Sequence, residues 1–255
     1  MEGFVDIHSH ILPNIDDGST SAEETFEMFE QAYAEGIKTI YATPHCGLGY
    51  DDFDIEEAEA VFQLVADTLE KMHPDMALVL GNEVLYYENM VEDLKAGKIH
   101  ALGNSPCVLI EFLPDTDFEI ILAAVRDLKA AHYVPVIAHV ERYSCIQNDL
   151  GLTDQLHGEG AYLQVNADML LEPPVEETSN GVIGIFKFPP MMTSIQMFKN
   201  TAWQLIKAGQ VDFLASDAHG SEYRKPVMKT ALQMIYKYVD PEAALKIVDK
   251  GNILG

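Results

Sequence analysis

The chain is 255 residues long, with 48% hydrophobic residues, 22% charged residues and a formal net charge of -25. That composition is globular, and the length suits one barrel-sized α/β unit better than two domains. So acidic a surface repels nucleic-acid backbones and anionic membranes, which excludes both as favoured partners, and an anionic substrate would need locally concentrated positive charge.

Phe4 to Leu12 is apolar, partly β-branched and closed by Pro13, which predicts a first strand. Within it, His8 and His10 fall on one face about 7 Å apart, with Asp6 in phase behind them. Asn14 to Ser19 is a turn-rich loop carrying Asp16-Asp17-Gly18, and Ser21 with Glu24 forms a capping box for a helix that Gly36 ends. Lys38 to Thr43 predicts a second strand ending in Pro44-His45, followed by an acidic amphipathic helix over Ile55 to Met72. A third strand, Ala77 to Leu80, ends in Gly81-Asn82-Glu83, and a short helix closes at Gly97. Cys107 to Phe112 is a fourth strand with Glu111 at its end, and Thr116 with Glu119 opens a helix reaching about His132. Val134 to Ala138 is a fifth strand ending in His139, residues 146–158 read as a broken helix, and Ala161 to Asn166 is a sixth strand. After a helix over Thr193 to Ala208, a seventh strand, Val211 to Ser216, ends in Asp217-Ala218-His219. Helical stretches over Val227 to Tyr238 and Pro241 to Lys250 finish the chain.

This alternation implies parallel strands joined by helical crossovers in a single domain spanning residues 1–255. Glu172 to Met192 departs from it as a long, proline-containing, partly apolar insertion. Three cysteines without a C-x-x-C pair fit a reducing compartment. The opening Met1-Glu2-Gly3 carries no basic segment, and no apolar run is long enough to span a membrane, so a cytoplasmic location without membrane insertion is expected.

Collected, the strand ends are His8, His10, His45, Glu83, Glu111, His139, Asp217 and His219. Strand C-termini of parallel α/β folds converge on one face, where sites form. One such histidine would mean little, but eight ligand-type residues at equivalent places predict a site for more than one metal ion. Imidazole with carboxylate and no thiolate suits zinc, manganese or ferrous iron. Ions that share carboxylates can activate water and clamp the oxygens of a phosphoryl group. Cations are scarce, and Arg142 and Arg224 stand just past His139 and His219, with guanidinium forks that match phosphate. A cysteine phosphatase needs Cys-x5-Arg, but the residues six beyond Cys46, Cys107 and Cys145 are Asp52, Leu113 and Gly151. The chain also has no G-x-S-x-G elbow and no Walker loop.

Taken together, Asp6-Ile-His-Ser-His10-Ile-Leu-Pro, Asp16-Asp17-Gly18, Ala42-Thr-Pro-His45, Glu83, Leu109-Ile-Glu111-Phe, Ile137-Ala-His139-Val-Glu-Arg142-Tyr143, Gln164-Val-Asn166-Ala and Ala215-Ser-Asp217-Ala-His219 resemble the PHP (polymerase and histidinol phosphatase) superfamily. Within it the chain is most similar to the bacterial CpsB/CapC/YwqE-type protein-tyrosine phosphatases of capsule and exopolysaccharide operons. The resemblance implies a distorted (β/α)7 TIM-like barrel, the PHP fold, with three divalent ions, manganese first and iron or zinc as alternatives. By position, His8, His10, Glu83 and Asp217 would hold one ion. Glu83 would bridge to a second, held with Glu111 and His139, while Asp17, His45 and His219 would hold the third. Arg142 and Arg224 fall where the family binds phosphate. The implied substrate is a phosphotyrosine protein, the tail of a bacterial tyrosine autokinase controlling polysaccharide export.

The expected reaction is in-line attack of metal-activated hydroxide on phosphorus, with Asp217 or a nearby histidine as acid for the leaving phenolate. The chain departs from the family pattern at Val140, where proline is usual, at Cys46, and in the length of the Glu172 to Met192 stretch. That stretch leaves room for oligomeric contacts. Two rival readings are a small-molecule phosphatase of the same superfamily, acting for example on histidinol phosphate, and a catalytically silent metal-binding partner of an exopolysaccharide assembly.

Overall fold

Alternating apolar strands and amphipathic helices build a parallel α/β architecture. The computed structural model describes residues 3–50, 52–174, 193–239 and Ile247. Its elements are β1 (Phe4–Ser9), α1 (Ala22–Ala34), β2 (Ile37–Ala42), β3 (His45–Gly47), α2 (Ile55–Met72), β4 (Ala77–Leu80), β5 (Glu83–Leu85), α3 (Met90–Ala96), β6 (Cys107–Glu111), α4 (Phe118–Ala130), β7 (Val134–Ile137), α5 (Ser144–Asn148), α6 (Leu152–Gly158), β8 (Tyr162–Asn166), α7 (Ser194–Lys207), β9 (Phe213–Ala215) and α8 (Met228–Tyr238). Short 3-10 turns, Val140–Arg142 and Ala167–Leu170, follow β7 and β8. The expected helix over Pro241 to Lys250 lies outside the described residues except for buried Ile247, and so does the expected insertion beyond Pro174. Among the described residues no helix is long and apolar enough to cross a membrane.

Every strand pairing is parallel, in one sheet of order β1-β2-β4 and another of order β3-β5-β6-β7-β8-β9. Seven strands were expected and nine are formed among the described residues, because two of the expected strands resume after a break. Pro44 has no N–H for the ladder, so β2 stops at Ala42 and pairing restarts at His45. The neighbouring strand breaks in step at Gly81-Asn82, and Asn82 covers the gap by donating from Nδ2 to the Pro44 carbonyl at 3.0 Å. These breaks place His45 and Glu83 opposite each other in β3 and β5.

β1 stops at Ser9 rather than Leu12, and its pairing with β2 shifts register between Asp6 and Ser9. Asp6, buried beside His8, accepts from the Ser216 amide at 2.9 Å and from the Ser216 hydroxyl. Beyond the strand, His10 N donates to Ala218 O at 2.8 Å and Asp217 N to His8 O at 2.9 Å, which brings the two histidines beside the segment after β9.

Both sheet faces are covered, which is why the strands read as nearly continuous apolar runs. Ile7, Tyr41, Leu109, Val136, Phe213 and Ala215 pack together from different strands. Alternate strand residues such as Ile40, Ile110, Leu163 and Leu214 join helix residues such as Phe29, Leu69, Val125 and Leu205 in the larger core. Three helices start at satisfied side-chain caps: Ser21 Oγ accepts from Glu24 N at 3.2 Å, Asp54 Oδ1 from Glu56 N at 2.9 Å, and Thr193 Oγ1 from Gln196 N at 3.4 Å. The expected Thr116 cap is not formed: α4 begins after Asp117, which makes no side-chain cap bond.

The ends of β6 and β7 are tied by Tyr143, whose buried hydroxyl accepts from Phe112 N at 3.2 Å and donates to Ala138 O at 2.9 Å. Those two backbone groups flank Glu111 and His139, so the tie sets the height of both side chains. Tyr143→Phe leaves both without this partner and is expected to cost about 1–3 kcal/mol in chemical denaturation; an unchanged midpoint and slope would contradict that role.

Candidate metal centre

Seven segments deliver the ligand-type side chains to one place: the end of β1, the loop after it, the breaks leading into β3 and β5, the end of β6, and the turns after β7 and β9. Three overlapping groups result, each with ligand atoms within 4.8 Å of one another: His8, His10, Glu83 and Asp217; His10, Asp17, His45 and His219; and His45, Glu83 and Glu111. The first is the set expected for one ion. In the second, His10 joins the expected Asp17, His45 and His219. In the third, His45 stands with Glu83 and Glu111, while the expected His139 places its Nε2 2.8 Å from Glu83 Oε1 and 3.6 Å from Glu111 Oε2.

Glu83 is common to two groups and buried. Its Oε2 faces His8 Nε2, His10 Nε2 and His45 Nδ1 at 3.0, 3.2 and 3.1 Å, yet makes no hydrogen bond. The buried His45 Nδ1 and His219 Nε2 are likewise without one. A converging set of buried donor atoms with no hydrogen-bond partners fits a cation at their centre.

Proton placement on the rings supports the same reading. His8 Nδ1 donates to Gln164 Oε1 at 3.1 Å, His10 Nδ1 to Asp16 Oδ2 at 2.7 Å, and His219 Nδ1 to the Asp217 carbonyl at 2.9 Å. Each acceptor can only accept, so the proton sits on Nδ1 and the Nε2 lone pair faces the cluster. Gln164 is held in turn, because its Oε1 also takes the His139 amide at 2.8 Å while its Nε2 donates to Asn166 Oδ1 at 2.8 Å. Asp16 also accepts from the amides of Gly18 and His45, both at 3.0 Å, so it fixes the loop that presents Asp17.

Burial opposes charge throughout the cluster, and opposite charges outweigh it at most positions. Against burial, Asp16 with Asp217 and Glu83 holds the His10 imidazole well above its ordinary value. Against burial and Arg142, Glu111 and Glu83 raise His139 to about 9. Glu83 and Asp217 stay well below the usual carboxylate range despite burial, through the facing histidines and, for Asp217, both arginines. His219 goes the other way, pushed down to about 3 by burial and by the charge of His10.

Arg142 and Arg224 converge on Asp217. Arg142 Nη2 donates to Asp217 Oδ2 at 2.8 Å, Arg224 Nη2 donates to the same oxygen, and Asn166 Nδ2 adds a third bond at 2.6 Å. Each arginine side chain is about one-quarter exposed, so both guanidinium groups border the cluster and reach solvent. With three donors on Oδ2 and imidazoles facing Oδ1, Asp217 is an ionised acceptor. His139, Asp217 and Arg224 have positive φ angles of 31°, 50° and 50°, unfavourable for residues with a Cβ, so the surrounding bonds fix them there.

Sequence reading singled out the ligand types but not their supports: Asp16, Gln164, Asn166 and the buried Glu141, whose carboxyl burial raises to about 7 against Arg142 and His139. The Asp16-Asp17 doublet and the alternation of Gln164 and Asn166 on one strand face were the available signals. Protons and metal cations compete for the same nitrogens. Since neighbouring carboxylates favour the protonated forms of His10 and His139, manganese uptake is expected to release protons and to weaken as pH falls. Calorimetry in two buffers of different ionisation enthalpy would show this, and a buffer-independent heat would contradict it.

Comparison with known proteins places the chain in a family. A family model described as capsular polysaccharide synthesis, CpsB/CapC, matches residues 4–172 and 193–252. The tyrosine-protein phosphatase YwqE of Bacillus subtilis is 30% identical over 252 residues, covering 98% of this chain and 91% of that protein. The tyrosine-protein phosphatase CpsB of Streptococcus agalactiae is 28% identical over 241 residues, covering 94% and 93%. Among solved structures, a chain from the work on YwqE from Bacillus subtilis and CpsB from Streptococcus pneumoniae, described as metal-dependent tyrosine phosphatases, superposes with a TM-score of 0.82 at 28% identity, covering 98% of this chain and 93% of that one. The chain belongs to the CpsB/CapC family of capsular polysaccharide synthesis.

Proposed function

We propose that this protein is a metal-dependent protein-tyrosine phosphatase. The observation that carries the reading is the set of three overlapping imidazole–carboxylate groups that share Glu83 and His10 and are bordered by Arg142 and Arg224. The relatives named tyrosine-protein phosphatases match it over nearly the whole chain. We assign three divalent ions, manganese first, to the ligands His8, His10, Asp17, His45, Glu83, Glu111, His139, Asp217 and His219. The strand order, with Ser9 bridged to Ala218, supports a distorted (β/α)7 barrel in one domain, with residues 172–192 inserted between β8 and α7. A cytoplasmic tyrosine autokinase tail is the proposed substrate protein.

When bound, the ions supply Lewis acidity, polarising phosphoryl oxygens and acidifying water. The chain's own residues do the rest. Asp16, Gln164 and the Asp217 carbonyl keep the protons of His10, His8 and His219 on Nδ1, leaving Nε2 as ligand atom. Asp217 aligns the two guanidinium groups side by side, so that their remaining N–H donors can take the equatorial oxygens of a phosphate. In an otherwise acidic protein, these arginines and the ions provide the local positive charge that a phosphorylated protein requires. Phenolate leaves readily, and no acid from Asp217 is needed.

The test is phosphate release by chelator-stripped, manganese-resupplied protein from a tyrosine-phosphorylated peptide and from histidinol phosphate, side by side. The peptide is expected to be the better substrate, with turnover lost to chelator and restored by manganese. Preference for histidinol phosphate would move the chain to small-molecule chemistry, and turnover of neither substrate would favour the silent partner. His139→Ala is expected to abolish turnover with the fold retained, and an active, metal-replete variant would sink the assignment.

A further inference from the structure

Beside the metal centre lies a hollow of about 330 Å³, walled by the segment that follows His45 and by Tyr87, Asp93, Lys98 and Ile99. Tyr50 is common to the two. Its ring stacks on the His45 imidazole, with centroids 4.7 Å apart and planes 10° apart, and it also lines the hollow. Leu48, Phe53, Tyr87 and Ile99 make the remaining walls largely apolar, and Leu48 at the rim is 54% exposed. Gly47 has φ +101°, and a Cβ there would lie 2.3 Å from the Leu85 carbonyl oxygen, so the wall can turn here only without a side chain.

Charge in the hollow is internally compensated. Its two charged lining residues pair with each other, Lys98 Nζ lying 2.8 Å from Asp93 Oδ1, while Tyr87 donates its hydroxyl to Asp93 Oδ2 at 2.8 Å. In a protein of net charge -25, a charge-balanced hollow with aromatic walls against a ligand cluster suits an uncharged, flat group rather than an ion. An aryl phosphate has this shape: its ring is one oxygen away from phosphorus, so a phosphate held at the cluster sets its ring against Tyr50, which both stacks on His45 and lines the hollow.

We propose that this hollow is the aryl subsite, and that Tyr50 and Phe53 determine specificity for phosphate esters of phenols. The inference rests on the phosphatase reading but is tested apart from it, by binding of two non-hydrolysable ligands to the manganese-replete protein. Benzylphosphonate, with a CH2 in place of the ester oxygen, is expected to bind about tenfold more tightly than methylphosphonate, the surplus coming from burial and stacking of the ring. That ratio should fall towards one in both Tyr50→Ala and Phe53→Ala. Phe53→Ala leaves the His45 stack in place, so its methylphosphonate affinity should stay at the wild-type value and report an intact centre. Equal affinities in the wild type, a ratio unchanged in both variants, or no binding of either phosphonate overturns the subsite. A Phe53→Ala effect confined to phosphopeptides also overturns it, because the hollow would then hold a neighbouring side chain. If the ratio behaves as expected but phosphotyrosyl peptide is not turned over, the subsite stands and the protein-phosphatase reading fails.

Discussion

Glu83 is a buried carboxylate with one oxygen facing three imidazoles at 3.0, 3.2 and 3.1 Å and no hydrogen bond to that oxygen. A charge so placed is costly unless opposite charge answers it. His8, His10, His139 and Asp217 are buried with it. Such a cluster is a poor way to stabilise a fold and a good way to hold cations, which is why metal binding explains it better than packing does. The breaks at Pro44 and at Gly81-Asn82 serve this one arrangement, since they set His45 opposite Glu83.

The supports around the ligands do as much as the ligands themselves. Asp217 joins the two halves of the proposed chemistry: one oxygen faces the imidazoles, and the other collects both arginines and Asn166. Its carbonyl also orients His219. Asp6 and Ser216 fasten β1 to the end of β9 directly beneath His8 and Asp217, and the unfavourable backbone angles of His139, Asp217 and Arg224 sit within this mesh. A site of this kind is rigid before any substrate arrives, and preorganised donors act without reorganising during reaction.

Much of this was legible in the residues. The order of strands and helices followed from apolar runs, caps and glycine stops, and the ligand types followed from what stood at each strand end. Two things were not legible. Periodicity does not show that a proline at position 44 divides one strand into two pieces, because pairing across the break depends on Asn82 from the next strand. Nor does it show that Asp6 would face Ser216, since the register shift in β1 arises only when β2 pairs with it. Assigning histidines to ions also exceeded what spacing can carry: His45 and His139 both reach Glu83 and Glu111, and only the folded arrangement shows that His45 stands in two groups.

The most direct test of a shared centre built around Glu83 is the metal content of the manganese-loaded wild type and of Glu83→Ala, measured per chain by elemental analysis. The expected result is more than one ion per chain in the wild type and a loss of more than one ion in the variant, with the secondary structure intact by circular dichroism. A wild type that holds one ion or none, or a variant that retains the full complement, would contradict the account.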